Sequence, residues 1–196
     1  VRHRANELLD TARDALLPTL HAPTPTPAVA DAPPTGTNTP TPPTNGPATA
    51  IGINMNMRDD LLNLYKILTP FPEVKNVLEK LKKKKFKLAI LSNGTPALIS
   101  GLVESNHLKD YFDDLFSIES VKVYKPDSKV YDLPVKKYKI KPSEVTFLSS
   151  NTWDVSGSGN YGYNSIWVNR NNNIFDNLDY KPKQQIKNLK QLLNIV

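Results

Sequence analysis

Residues Val145–Arg170 read VTFLSSNTWDVSGSGNYGYNSIWVNR. The apolar run Val145–Leu148 stops at the polar cluster Ser149, Ser150 and Asn151. Trp153 and Asp154 follow, then a glycine-bearing segment suited to a short helix, then a second apolar run, Ile166–Val168. The order is strand, polar loop, helix, strand. In a parallel α/β sheet, ligands bind where strands end at their carboxyl edge, and the polar cluster falls there.

Working outward, the same grammar repeats. Upstream, Ile140–Glu144 leads into the Val145 strand, and Pro126 and Asp127 open a helix running past Tyr131, with Pro134 expected to kink it. Phe86–Leu91 (FKLAIL) reads as a buried strand that empties into a second polar loop, Ser92-Asn93-Gly94-Thr95-Pro96. A helix over Ala97–Asn106, an aromatic-acidic stretch at Tyr111–Phe116 and a short strand at Ser117–Ser120 follow. Val74, Val77, Leu78 and Leu81 mark a helix opened by Pro72 and Glu73 and closed by Lys82–Lys85, where cations suit the dipole. Arg58–Leu68 also has helical periodicity. Downstream, Asn169–Asn177 is a loop, and Gln184–Ile195 reads as a closing helix. Strands alternating with helices predict an α/β fold on a parallel sheet wound in right-handed crossovers.

The head of the chain differs. Every lysine lies after Arg58, and all but two of the alanines lie before it. Within Ala5–Leu20, Leu8, Leu9, Ala12, Leu16 and Leu17 suit a short amphipathic helix that stops at Pro18. His21–Ala48 is rich in Pro, Thr and Ala, so residues 1–57 read as a mostly disordered, low-complexity head before a core at 58–196. Ile51, Ile53, Met55 and Met57 alternate with small or polar residues, as in a short strand.

Composition removes several function classes. Among 196 residues there is no cysteine, which excludes disulfides, thiolate metal sites and thiol nucleophiles. His3, His21 and His107 show no ligand spacing. The net charge of +6 is spread out, and no aromatic residues interleave with Lys82–Lys85, so no nucleic-acid partner is expected. No apolar run reaches the roughly 20 residues needed to span a bilayer. A cytoplasmic protein with no membrane partner is the expectation.

Ser92-Asn93, Lys125 and Ser149–Asp154 together form an anion-handling set, with hydroxyl and amide donors, one fixed cation and one carboxylate able to orient a water. Taken singly, each piece is an ordinary turn or helix cap. Their order along the chain, each after a strand, is what carries weight. With LAILSNGTP, VYKPDSKVY, PFPEV and FLSSNTWDVSGSGNYGYNSIWVNR in place, the chain from about Arg58 onward resembles the haloacid dehalogenase superfamily, in particular the type II (S)-2-haloacid dehalogenases. The resemblance implies a Rossmann-like core, here incomplete at its N-terminus and preceded by the proline-rich segment. It implies hydrolytic dehalogenation of short 2-haloacids through an aspartyl ester, without metal or other cofactor. Phosphatases of the superfamily place paired acids for Mg²⁺ where this loop has Asp154 alone.

By resemblance, Ser92 and Asn93 bind the substrate carboxylate, Tyr131 walls the site, and Trp153 shapes the pocket. Lys125 keeps the nucleophile ionised, Ser149 and Asn151 hold the reacting carboxylate, and Asp154 positions or deprotonates the hydrolytic water. The partner implied is a small 2-haloacid or another small carboxylate, and the assembly a homodimer. The nucleophile is unassigned. The family sets it in an Asp-x-Φ-Gly-Thr motif ending the first strand; Asp31, Asp59 and Asp60 are the acids of this chain to weigh against that pattern. Two other classes stay open: a superfamily phosphatase, and a non-catalytic protein whose anion pocket binds a small carboxylate. Without a first strand, Phe86–Leu91 and Val145–Leu148 are expected to carry unpaired edges, filled by Ile51–Met57 or by a partner chain.

Overall fold

The structure, a computed structural model, describes Asn63, Leu64 and residues 68–196. The expected N-terminal helix, the proline-rich segment, the Ile51–Met57 strand, Asp31, Asp59 and Asp60 all lie outside the described residues. Of the Arg58–Leu68 helix only Asn63 and Leu64 are described as helical.

Helix α1, Val74–Lys83, buries Val74, Val77, Leu78 and Leu81 on one stripe, and its last turn carries Lys80, Lys82 and Lys83. It stops in a Schellman turn. The Phe86 amide donates to the Leu81 carbonyl (3.1 Å), the Lys85 amide donates to the Lys82 carbonyl (2.8 Å), and Lys85 takes the left-handed conformation at φ 64. That turn corrects the expected Phe86–Leu91 strand. Phe86 is spent in the turn, the Leu88 amide donates to the Asp113 carboxylate (2.8 Å), and β1 runs over Ala89–Ser92.

Helix α2, Pro96–Ser105, has Pro96 at its start and Thr95 accepting the Leu98 amide at 3.3 Å. Strand β2 is Asp114–Ser117, not Ser117–Ser120 as expected. Ser92 pairs with Ser117 at the end of the β1–β2 ladder, and Ser117 Oγ then accepts the Glu119 amide, turning Ile118–Ser120 into a 3₁₀ turn. Helix α3, Ser128–Tyr138, runs through Pro134. Strand β3 is Thr146–Ser149, α4 is Thr152–Tyr161 and β4 is Asn164–Val168. The expected closing helix is instead β5, Gln184–Ile186, followed by a 3₁₀ turn over Leu189–Asn194. Ile186, Leu189 and Leu192 recur every three residues, a spacing a 3₁₀ turn satisfies as well as an α-helix. Ile186 is claimed by Val168 of β4, and the Asn188 side chain caps the turn by accepting the Lys190 amide.

All strand pairs are parallel. Among the described residues they form two sheets, β1–β2 and β3–β4–β5. Alternation along the strands feeds two cores. Ile90, Leu148, Ile166 and Val168 pack with α1 and α2 on one face. Leu91 and Phe147 pack with Val130, Tyr131 and Tyr163 on the other. The sheets therefore lie in one layer between two helical layers. Their carboxyl ends, Ser92 and Ser149, open on the same side. Among the described residues, no helix is long and apolar enough to cross a membrane.

Candidate active site

β1 ends at Leu91-Ser92, and the loop beyond it turns back on itself. Ser92 Oγ accepts the Gly94 amide at 2.9 Å, and the Gly94 carbonyl accepts Ser117 Oγ at 2.7 Å. Asn93 Oδ1 accepts the Lys125 amide at 3.0 Å. Because that backbone donor requires the oxygen there, Nδ2 points elsewhere, buried and without a hydrogen-bond partner among the described residues.

Lys125 enters from the segment before α3 through a cis bond to Pro126. Asp127 caps α3 by accepting the Lys129 amide at 2.9 Å, and Tyr131 follows one turn in. The Lys125 ammonium is fully buried. It donates to the Leu91 carbonyl at 3.2 Å and to Asp154 Oδ2 at 2.8 Å.

Asp154 sits in the first turn of α4, also fully buried. It accepts the Tyr131 hydroxyl on Oδ1 (2.7 Å), and Lys125 and Ser149 Oγ (3.2 Å) on Oδ2. Ser149 Oγ also accepts the Asn151 amide at 3.2 Å. Among the described residues, one acceptor position on Oδ1 is left for a further donor such as water. Five of the eight site residues expected from the sequence, namely Asn93, Lys125, Tyr131, Ser149 and Asp154, thus form one connected network. Trp153 stands beside it, half-buried, with its ring centroid 5.9 Å from Lys125 Nζ. Asn151 joins through its backbone, and its side chain makes no helix-cap bond. Ser92 holds its own loop.

The electrostatics follow from burial. Loss of hydration pushes the Lys125 pKa down, and the charge of Asp154 beside it works in the opposite sense. Burial first, then the same carboxylate, pushes the Tyr131 phenol far up, so it stays a neutral donor. Tyr131 is packed in an aromatic cage with Phe147, Tyr161 and Tyr163, and the Tyr163 hydroxyl donates to the Tyr131 carbonyl.

Sequence reading missed three supports. A Cβ at Gly157 would come within 2.5 Å of Pro126 Cβ and 2.9 Å of the Tyr131 hydroxyl, so only glycine lets α4 approach the Lys125 segment this closely. Ser158 Oγ, buried, donates to the Asp154 carbonyl (2.7 Å) and lies 2.7 Å from Ser165 Oγ, tying α4 to β4. Trp167 Nε1 donates to the Ser150 carbonyl at 2.9 Å and holds the loop after β3. The run Ser156-Gly-Ser-Gly159, unusual inside a helix, is the signal that points to close approach.

Chemically, the arrangement offers a buried cation, a carboxylate with a free acceptor position, and an amide donor, gathered at the carboxyl ends of β1 and β3. Among the described residues, no three His, Asp or Glu side chains gather so as to hold a metal ion. The family model for haloacid dehalogenase-like hydrolases matches residues 37–162, more than half of the chain. The chain belongs to that family. It is 37% identical over 143 residues to the (S)-2-haloacid dehalogenase of Pseudomonas sp. strain YL, covering 73% of this chain and 62% of that protein. To the (S)-2-haloacid dehalogenase of Pseudomonas putida it is 38% identical over 134 residues, covering 68% of this chain and 59% of the relative. The chain thus spans about six-tenths of the curated relatives it matches. Among solved structures, the L-2-haloacid dehalogenase of Xanthobacter autotrophicus with chloropropionic acid covalently bound superposes with a TM-score of 0.69 at 27% identity, covering 75% of this chain and 69% of that one. Both the Rossmann-like α/β expectation and the resemblance read from the sequence are met by these findings.

Proposed function

We propose that this chain is an (S)-2-haloacid dehalogenase-like hydrolase acting on a short 2-haloacid, with Lys125, Ser149, Asn151 and Asp154 as its catalytic set and Ser92, Asn93, Tyr131 and Trp153 as its substrate-binding set. The observation that carries the reading is the fully buried Lys125–Asp154 pair, fixed by Tyr131 and Ser149 where two strands end. A buried ion pair is weak evidence for stability, because desolvation cancels most of its attraction. A chemical role is the better account of such a pair.

In the proposed reaction a carboxylate oxygen of the chain attacks the carbon bearing the halogen. The new C–O bond forms as the carbon–halogen bond breaks, and halide leaves with the electron pair. Water then attacks the ester carbonyl and passes one proton to Asp154; as the acyl C–O bond breaks, that proton goes to the departing alkoxide oxygen, the 2-hydroxy acid leaves, and the carboxylate nucleophile is restored with its remaining proton released to solvent. Lys125 stabilises negative charge in both steps, and the Asn93 amide donates to the substrate carboxylate. The nucleophile is sought among Asp31, Asp59 and Asp60, outside the described residues. A homodimer and a cytoplasmic setting complete the reading, with Arg58–Val196 as the hydrolase core behind a proline-rich head.

Halide release from (S)-2-chloropropionate by the purified chain, with EDTA present, tests this. Release well above a Lys125→Ala control is the expected result. No release from a folded sample overturns the hydrolytic reading in favour of a pocket that only binds a small carboxylate.

A further inference from the structure

Strands β4 and β5 are joined by residues 169–183, which contain no helix or strand. A connection longer than about 12–15 residues without secondary structure is uncommon in a compact domain and is usually functional. This one is tied down along its length. At its root the Asn169 amide donates to the Ile186 carbonyl (2.8 Å). The buried Asn169 side chain closes a turn on Asn173, donating to its carbonyl (2.9 Å) and accepting its amide (2.8 Å). The chain then runs back over α4 as a strap. The Phe175 ring meets Trp167 edge-on at 5.1 Å. Lys181 Nζ lies 5.1 Å from the Phe175 centroid and donates to the Asp176 carbonyl (2.7 Å). Further along, a Cβ on Gly159 would come within 2.3 Å of the Tyr180 ring, so that ring lies against the α4 backbone.

The strap holds the turn that opens α4 at two points. Trp167 donates to the Ser150 carbonyl at 2.9 Å, and the Thr152 hydroxyl donates to Asp176 Oδ2. Between those points lies Asn151, the N-cap of α4, whose side chain makes no cap bond. An N-cap side chain ordinarily fixes the first turn of its helix. Here a carboxylate from a distant segment takes that role, at the helix end where the dipole favours negative charge. Trp153 follows Thr152 directly, with its ring centroid 5.9 Å from Lys125 Nζ. Asp154 is held independently by Lys125, Tyr131 and Ser149.

We propose that Asp176 is a positioning residue of the site: through Thr152 it fixes the first turn of α4 and so sets where Trp153 closes the substrate pocket beside Lys125. The inference rests on the proposed role of Trp153 in substrate binding. Losing Asp176 should weaken binding of a small carboxylate and leave the Asp154 network in place.

The test compares Asp176→Ala, Thr152→Val and the double variant of the full chain by two measurements that need no turnover. In the first, exchange rates are read by NMR at the amides of Asp154 and Val155, both of which donate to the Asn151 carbonyl. Each single variant should speed them at least about tenfold, and the double variant no further, because the two residues share one bond. Amides of Ser165 and Ile166 in β4 should not change. In the second, (S)-2-hydroxypropionate, which keeps the carboxylate but has no halide to lose, is titrated calorimetrically. Its Kd should rise about tenfold in either single variant and stay within about twofold of the unmodified value in Thr152→Ser, which keeps the hydroxyl. Unchanged exchange at Asp154 and Val155 overturns the proposal, as do additive effects in the double variant. So does a lowered melting temperature with Kd unmoved, which makes the strap a structural tie alone. Halide release from (S)-2-chloropropionate is a separate readout. Its absence overturns the hydrolytic reading alone, whereas failure of the unmodified chain to bind (S)-2-hydroxypropionate overturns this proposal too.

Discussion

The Lys125–Asp154 pair makes a sharp demand on single substitutions. Lys125→Met leaves a buried carboxylate with its cation gone, and breaking a buried pair on one side typically costs about 3–5 kcal/mol. The double variant Lys125→Met, Asp154→Leu removes both charges and should recover most of that loss in urea unfolding. It should still fail to bind a small carboxylate, which separates structural from chemical need for the pair. Gly157 makes the complementary demand. Its Cα faces Pro126 and the Tyr131 hydroxyl too closely for a methyl group. Gly157→Ala should cost about 1–3 kcal/mol by overpacking and weaken substrate binding, measured by thermal melting and by KM.

At the level of elements, the exit from α1 shows how one backbone conformation sets where the next strand begins. Lys85 holds φ 64, where a side chain is crowded by about 1–2 kcal/mol. Lys85→Gly should therefore raise stability by about 1 kcal/mol, and a chemical denaturation curve with unchanged slope would record it. The β1–β2 start is fixed by Asp113, which accepts the Leu88 amide, Lys82 (3.0 Å) and Lys87 (3.2 Å). Burial by itself would raise its pKa. The Leu88 amide and the two lysines outweigh that and hold it at about 2. A carboxyl whose folded pKa is depressed contributes stability above its ordinary value of 3.8 and loses it as pH falls towards about 2. Asp113→Asn should flatten acid unfolding in the window between those two values and leave the slope above about pH 5 unchanged.

At the scale of the molecule, two parallel half-sheets sandwiched by helices place every loop that carries chemistry on one side. Lys125 acts as a clasp between β1 and β3, holding the Leu91 carbonyl directly and Ser149 through Asp154. Removing it should expose β1 and β3 to exchange, while the two aromatic and aliphatic cores stay packed. Exchange measured across 89–92 and 146–149 reads the state of both half-sheets.

The sequence alone carried the parallel α/β class, the two polar loops after strands, and the identities of the residues that meet around Asp154. It did so because strand-ending polar clusters and helix periodicity are local signals. Boundaries were less legible. FKLAIL looks like a strand from Phe86, yet a Schellman turn takes its first residue. A three-residue repeat of Ile186, Leu189 and Leu192 reads as a helix until Val168 claims Ile186 as a strand partner. Tertiary structure alone decided which donors Asp154 accepts and why residue 157 has no side chain. Those facts depend on segments distant in sequence coming within a few ångströms, a property no local pattern of residues encodes.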